Sequence, residues 1–179
     1  GKVLLHYGGG SIKKSGLYDE VVRSLTEAGV SFAELGGVVP NPRLSLVQEG
    51  VALARREGVE LILAVGGGSV IDSSKAIAHG LANPELDLWS IFARGVPVKK
   101  STPVACVLTI PAAGSEMSNS CVISNDETQQ KYGCATECNR PLLSVIDPTL
   151  FFTLPKNQIA NGVSDMMSHI SERYSSNTA

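Results

Sequence analysis

Leu61-Ile62-Leu63-Ala64-Val65-Gly66-Gly67-Gly68-Ser69-Val70-Ile71-Asp72-Ser73-Ser74-Lys75 is the stretch that decides the fold. Its first five residues are all apolar, with no alternation between faces. Continuous hydrophobicity at strand length implies burial on both sides, as in a parallel sheet covered by helices. Three glycines end the run, and Ser69 is the expected N-cap of a helix from about Val70 to Ala82, with Asp72 supporting its first turn. Without Cβ atoms, Gly66, Gly67 and Gly68 let backbone N–H groups approach a ligand. The helix N-terminus adds unpaired donors and roughly half a positive charge. A pyrophosphate fits such a seat. The segment is neither a P-loop, because no Gly-Lys-Ser/Thr follows at the required spacing, nor a G-x-G-x-x-G fingerprint. A plain tight turn between strand and helix would also account for it.

Outward from this stretch the same alternation recurs. Val3–Tyr7 is a short apolar run ending at Gly8-Gly9-Gly10-Ser11, followed by a helix with Leu17, Val21, Val22, Leu25 and Ala28 on one face and Gly29 as its stop. Val30–Leu35 reads as a second strand closed by Gly36-Gly37 and the turn Pro40-Asn41-Pro42. A helix carrying Leu44, Val47, Val51 and Ala54 then ends at Gly58. Strands alternating with helices through short glycine-rich turns predict a doubly wound, mostly parallel α/β sheet of Rossmann-like kind. Ligands of such sheets bind beyond the carboxyl ends of the strands, so the turn at Gly8–Ser11 and the turn at Gly66–Ser69 would line one edge. Two such turns favour a dinucleotide over a simple turn.

After Pro103 the pattern changes. Val104–Ile110, Cys121–Ser124 and Leu142–Ile146 read as strands with less helix between them, part of which could form an antiparallel flap. Asp147-Pro148 breaks the pattern, and Pro155 is placed to start a helix. Ile159, Val163, Met166, Met167, Ile170 and Tyr174 form one stripe on that helix, whose composition suggests the opening of a helical second domain. The division expected is therefore 1–150, a dinucleotide-binding domain, and 151–179, the start of a helical metal-binding domain. Across the helix from the stripe lie Asp165 and His169, four residues apart. They suit Zn²⁺ or Fe²⁺ by donor type, but two ligands do not complete a site, and a solvated acid–imidazole pair explains them equally. Glu172 is either a supporting group or surface. His6 and His79 are expected to be structural.

The totals exclude several classes. The net charge is −2 over 179 residues, which gives no electrostatic case for nucleic acid or an anionic membrane. No apolar run approaches the ~20 residues that span a bilayer. Cys106, Cys121, Cys134 and Cys138 lack zinc-knuckle spacing, and no secretory pattern opens the chain, so they read as reduced thiols of a cytoplasmic protein.

The chain resembles the iron-containing (group III) alcohol dehydrogenases, particularly their butanol-dehydrogenase-like, aldehyde-reducing branch. Five segments in order carry the resemblance: Tyr7-Gly-Gly-Gly-Ser-Ile-Lys-Lys14, Pro40-Asn41-Pro42, Gly66–Lys75, Leu108-Thr-Ile-Pro-Ala-Ala-Gly-Ser-Glu116 and Asn161-Gly-Val-Ser-Asp-Met-Met-Ser-His169. It implies NAD(P) in the α/β domain and a catalytic divalent metal, Fe²⁺ or Zn²⁺, in the helical one. Gly66–Ser69 would cup the pyrophosphate with Asp72 nearby, and Gly36, Gly37 and Asn41 would also lie along the coenzyme. Thr109 and Ala112–Ser115 would line the adenine and ribose side, and Lys131 would reach the ribose or phosphate region. Asp165 and His169 match the first two of four metal ligands. The other two, histidines on later helices, have no counterpart before Ala179, so the chain alone is expected to be inactive. Members using NAD often carry an aspartate where this sequence has Gly36, followed by Gly37; its absence favours NADP(H) over NAD(H). The activity implied is hydride transfer between a primary alcohol or aldehyde and the coenzyme, in a homodimer or larger homo-oligomer. The alternatives are a coenzyme-binding module without catalysis and a dehydroquinate-synthase-like lyase.

Overall fold

The computed structural model describes residues 1–176. In chain order the elements are β1 (Lys2–Gly8), α1 (Ser11–Lys14), α2 (Leu17–Glu27), β2 (Phe32–Val38), α3 (Leu44–Glu57), β3 (Val59–Gly66), α4 (Gly68–Ala82) and α5 (Leu88–Ala93). After these come β4 (Val104–Leu108), β5 (Ser120–Asn125), β6 (Gln130–Ala135), β7 (Leu143–Val145) and α6 (Lys156–Ser175). Short 3₁₀ turns occupy Glu137–Asn139 and Pro148–Phe151. Five strands form one sheet in the order β2-β1-β3-β4-β7, every neighbouring pair parallel. The hairpin β5-β6 stands apart as an antiparallel pair. This is the doubly wound α/β architecture expected, with the flap realised as the hairpin.

The alternating directions of strand side chains explain the two covered faces. Leu4 and Ile62 point into a core shared with Val47, Val51 and Ala54 of α3 and with Ala76 and Ile77 of α4. Leu5, Tyr7 and Val65 point the other way, onto Ile12 of α1 and Leu17 of α2. Val65, Ala64, Ile62 and Leu4 are fully buried, as the unbroken apolar run required. His6 sits in the same sheet with no exposed surface; its Nδ1 meets the Leu35 carbonyl at 2.7 Å and its Nε2 meets the Ser73 hydroxyl at 2.8 Å. His79 is also buried and holds Asn139 through Nε2 at 2.7 Å. Both histidines are thus structural. All four cysteines are free thiols. No helix among the described residues is long and apolar enough to cross a membrane.

Several boundaries differ from the reading of the sequence. β2 does not close at Leu35 but continues through Gly36 and Gly37 to Val38, because a register shift after His6 lets Gly8 pair with Val38. The first helix is split in two at Gly16, whose φ of 83° only glycine adopts at little cost. The strand β6 and the helix α5 were not expected. β6 is mostly exposed and polar, so it lacks the apolar signal of the other strands. α5 is only six residues long, too short to show a period.

Candidate functional site

β1 and β3 are neighbours in the sheet, yet the chain leaves them toward opposite faces, to α1–α2 and to α4. A crevice opens at such a switch point. The turns Gly8–Ser11 and Gly66–Ser69 flank it, as the sequence suggested. Gly8 comes within van der Waals reach of the other turn's helix: a Cβ there would lie 3.8 Å from Val70 Cγ2 and 3.4 Å from the Val38 carbonyl. Gly10 has φ 122° and precedes α1, so Ser11 is the first helical residue.

At the second turn one expectation is corrected. α4 begins at Gly68 with Gly67 as its N-cap, and no side chain caps it; Ser69 lies inside the first turn. The opening N–H groups of a helix lack intrahelical acceptors. With a glycine in the capping position no side-chain oxygen competes for them, a better anion seat than a serine-capped start. Gly68 is where close approach matters: a Cβ would stand 3.2 Å from both Ala113 Cβ and Ser115 Oγ. The loop after β4 therefore forms a second wall against the helix start. That loop is tied to the second glycine turn by Thr109, whose N–H donates to the Gly66 carbonyl at 3.1 Å.

Asp72 is also corrected. Its carboxylate does not serve the first turn of α4 but accepts the Val122 N–H of β5 at 3.0 Å. Its Oδ1 is buried without a partner. Burial pushes this carboxyl's pKa up, against the pull of the Val122 N–H and the Lys75 charge. Lys75, one turn further along α4, is 1% exposed, and its ammonium donates to the carbonyls of Ser115, Ser118 and Ser120 at 2.8, 3.0 and 2.8 Å. Sequence reasoning gave Lys75 no role. The signal available was an Asp72–Lys75 pair at i,i+3 on a helix whose other residues, His79 apart, are apolar or small.

Lys131 Nζ donates to Asn41 Oδ1 at 2.7 Å, so two residues 90 apart in sequence, each expected near the coenzyme, meet. Asn41 is held at φ 59°. Nearby, Gly37, Val39, Arg43, Ser45, Leu46 and Glu49 line a cleft of about 260 Å³. Gly36 points elsewhere: a Cβ would fall 2.6 Å from Tyr7 Cε2, so its missing side chain has a packing cause. Glu34, two residues earlier on the same face, accepts the hydroxyls of Tyr7 and Tyr18 at 3.1 and 2.8 Å. That bond to the carboxylate raises the Tyr18 pKa to about 12. A larger cleft, about 430 Å³, lies between Ser11, Ile12 and Thr109 on one side and Leu150, Thr153 and Pro155 on the other. Ala112 packs instead under α6, 3.6 Å from the Cβ position of Gly162.

On α6, Asp165 Oδ2 and His169 Nε2 stand 3.8 Å apart, with side chains 53% and 69% exposed. Their type suits a divalent metal, but their number does not: no group of three or more His, Cys, Asp or Glu able to hold a metal occurs among the described residues. The stripe from Ile159 to Tyr174 is exposed as well, and Gly162 is the only buried residue of the helix.

A family model described as iron-containing alcohol dehydrogenase matches residues 1–148. The chain is 50% identical over 172 residues to the probable NADH-dependent butanol dehydrogenase 1 of Bacillus subtilis, covering 96% of this chain and 44% of that protein. It is 42% identical to an NADPH-dependent aldehyde reductase of Escherichia coli, covering 97% of this chain and 45% of the relative. The crystal structure of NADH-dependent butanol dehydrogenase A from Thermotoga maritima superposes with a TM-score of 0.91 at 50% identity, over 96% of this chain and 43% of that one. The chain thus spans less than half the length of these relatives. With the switch-point crevice, the two glycine turns and a matching stretch of 148 residues, the chain belongs to the iron-containing alcohol dehydrogenase family.

Proposed function

We propose that this chain holds a nicotinamide dinucleotide, NADP(H) in preference to NAD(H), across the edge formed by Gly8–Ser11 and Gly66–Ser69. The observation that carries the reading is the start of α4, uncapped by any side chain and walled by Ser115 at the position where Gly68 leaves room for an approach. Its N–H groups take the diphosphate. Asn41 and Lys131 lie where a ribose or its phosphate would be held, and Arg43 adds a second positive charge beside Gly37. No carboxylate of β2 itself is free to bind a 2′-hydroxyl, because Glu34 is engaged by two tyrosines, although Glu49 of α3 lines the cleft beside Gly37. That arrangement supports NADP(H).

For the protein as a whole the proposed activity is reversible hydride transfer between the coenzyme and a primary alcohol or aldehyde. When bound, the nicotinamide ring carries the hydride and the divalent metal, Fe²⁺ or Zn²⁺, polarises the substrate oxygen as a Lewis acid. Asp165 and His169 would supply two of its ligands, and residues 151–179 would open the domain that completes the set. The cleft between Ser11, Thr109 and Pro155 is the proposed side of entry for the small substrate. A cytoplasmic homo-oligomer remains the expected setting.

Since only two metal donors come together among the described residues, we also propose that the 179-residue chain by itself binds coenzyme without turnover. Titrating the purified chain with NADPH and NADH, followed by the fluorescence of its single tryptophan and by calorimetry, tests both readings. Tighter binding of NADPH, with no aldehyde-dependent oxidation of it, is the outcome expected. Absence of binding to either coenzyme would remove the dinucleotide reading, and turnover by the isolated chain would remove the second.

A further inference from the structure

Lys75 presents a problem that packing alone does not solve. A buried ammonium is costly unless its donors are satisfied, and here burial lowers its pKa while the Asp72 charge raises it. All three of its N–H donors are used, and all three go to one loop, at the carbonyls of Ser115, Ser118 and Ser120. The rest of that loop is held in the same manner. Ser144 Oγ donates to the Glu116 carbonyl at 2.7 Å, Arg140 Nη1 to that of Met117 at 2.6 Å, and Asn139 Nδ2 to that of Asn119 at 2.8 Å. Every backbone carbonyl from Ser115 to Ser120 therefore accepts a side-chain hydrogen bond. Across a trans peptide the N–H points opposite to the C=O. Holding the Ser115 carbonyl on Lys75 turns the Glu116 N–H away from it, and it fixes Ser115 itself, which is 8% exposed, beside Gly68.

We propose that Lys75 is a positioning residue of the dinucleotide site: seated among three carbonyls, its ammonium fixes the second wall of the diphosphate seat and so sets coenzyme affinity without touching the coenzyme. The proposal rests on the dinucleotide reading above. Asp72 shares the arrangement as the nearby opposite charge, stitched to the hairpin through Val122. A methionine-like apolar chain of equal length would leave the three carbonyls unpaired inside the protein. Any cation that fills the space should serve in place of the side chain.

The test uses that last consequence. In the 179-residue chain, Lys75→Ala deletes three methylenes and the ammonium, the size of propylammonium. ADP and NADPH are expected to bind Lys75→Ala at least tenfold more weakly than the unmodified chain. Amide exchange at Met117 and Ser118, which donate to the Gly114 carbonyl, is expected to accelerate. Millimolar propylammonium should restore both, and 1-propanol should restore neither. Affinity within twofold of the unmodified chain, exchange in 115–120 left unaltered, or loss without rescue by the amine would each overturn the proposal. Should circular dichroism show Lys75→Ala unfolded, Lys75→Gln, which keeps two N–H donors, is judged by affinity and exchange alone, with an intermediate loss expected and affinity or exchange equal to the unmodified chain's overturning the proposal. If the unmodified chain binds neither ADP nor NADPH, the dinucleotide reading fails. The exchange data then still report whether Lys75 holds the loop.

Discussion

Acid should weaken this fold through His6, by an amount that its burial sets. The ring has no exposed surface. The Leu35 carbonyl can only accept, so Nδ1 carries the proton, and Nε2 accepts from the Ser73 hydroxyl. Adding a second proton places a charge in the sheet core, and this burial lowers the pKa from 6.5 to about 4. In the unfolded chain the group titrates near 6.5. Above that pH neither state is protonated and the stability due to the neutral ring is fully present. As pH falls from 6.5 toward 4 only the unfolded state gains the proton, so stability is lost across that window and no further below it. At ~1.4 kcal/mol per pH unit the loss approaches about 3 kcal/mol, of which about 2.5 kcal/mol falls between pH 7.5 and 4.5. Urea unfolding at both pH values, followed by Trp89 fluorescence, gives the free energies by linear extrapolation. His6→Gln removes the titration, whatever its own stability at pH 7.5. Its loss between the two pH values should be smaller than that of the unmodified chain by about 2 kcal/mol or more. Carboxylates and His79 titrate in both proteins and cancel. Parallel pH dependences for the two would refute the reasoning.

Gly68→Ala should cut affinity for NADPH by at least about tenfold while changing stability by less than about 1 kcal/mol, since the backbone tolerates alanine and the methyl meets its neighbours at 3.2 Å; equilibrium titration beside urea melts separates the two effects. Gly36→Asp, the residue expected of NAD-preferring relatives, should cost about 1–3 kcal/mol through overlap with Tyr7 and improve NADH binding only when Tyr7→Ala makes room; an unaltered urea midpoint for the single variant would contradict this. The isolated chain should bind Zn²⁺ no more tightly than its Asp165→Asn variant, as calorimetry of metal-free protein can establish. Ile170→Glu should lower any self-association of the chain in sedimentation velocity, because Ile170 is 68% exposed in a continuous apolar stripe.

The sheet was legible because its physics is local. Leu61–Val65 had to be buried on both faces, and three glycines after it had to be a turn. The glycine turn proposed as the diphosphate seat was legible for the same reason. Contacts between distant segments were not. Nothing near Lys75 in sequence says that it reaches residues 115, 118 and 120, and nothing near Gly36 says that the Tyr7 ring fills its side. That Lys131 would lie near the coenzyme came from resemblance to a family, not from the residues themselves, and its bond to Asn41 was in neither. Ser69 was misplaced because a serine after glycines is a good N-cap by propensity, whereas the chain reaches helical geometry two residues earlier. β6 was missed because a strand that half-buries only Cys134 leaves little pattern to read.

The helix α6 joins the two proposed chemistries of the molecule. Gly162 costs about 1 kcal/mol relative to alanine in a helix interior, and a methyl there would meet the loop after β4 at ordinary van der Waals distance. Its Cβ position lies 3.6 Å from Ala112 and 3.7 Å from the Pro111 carbonyl. Ala112 belongs to the same loop as Ser115, the second wall of the diphosphate seat. Asp165 follows Gly162 by three residues, a rise of about 4.5 Å along the helix. The separation between the proposed coenzyme seat and the proposed metal donors is therefore spanned by one packed contact and a run of helix, less than one turn to Asp165 and about two turns to His169. A side chain larger than methyl at position 162 would move Asp165 and His169 relative to Ser115, and so misalign metal and coenzyme while leaving each able to bind. The proposed hydride transfer would depend on their alignment more than on either affinity.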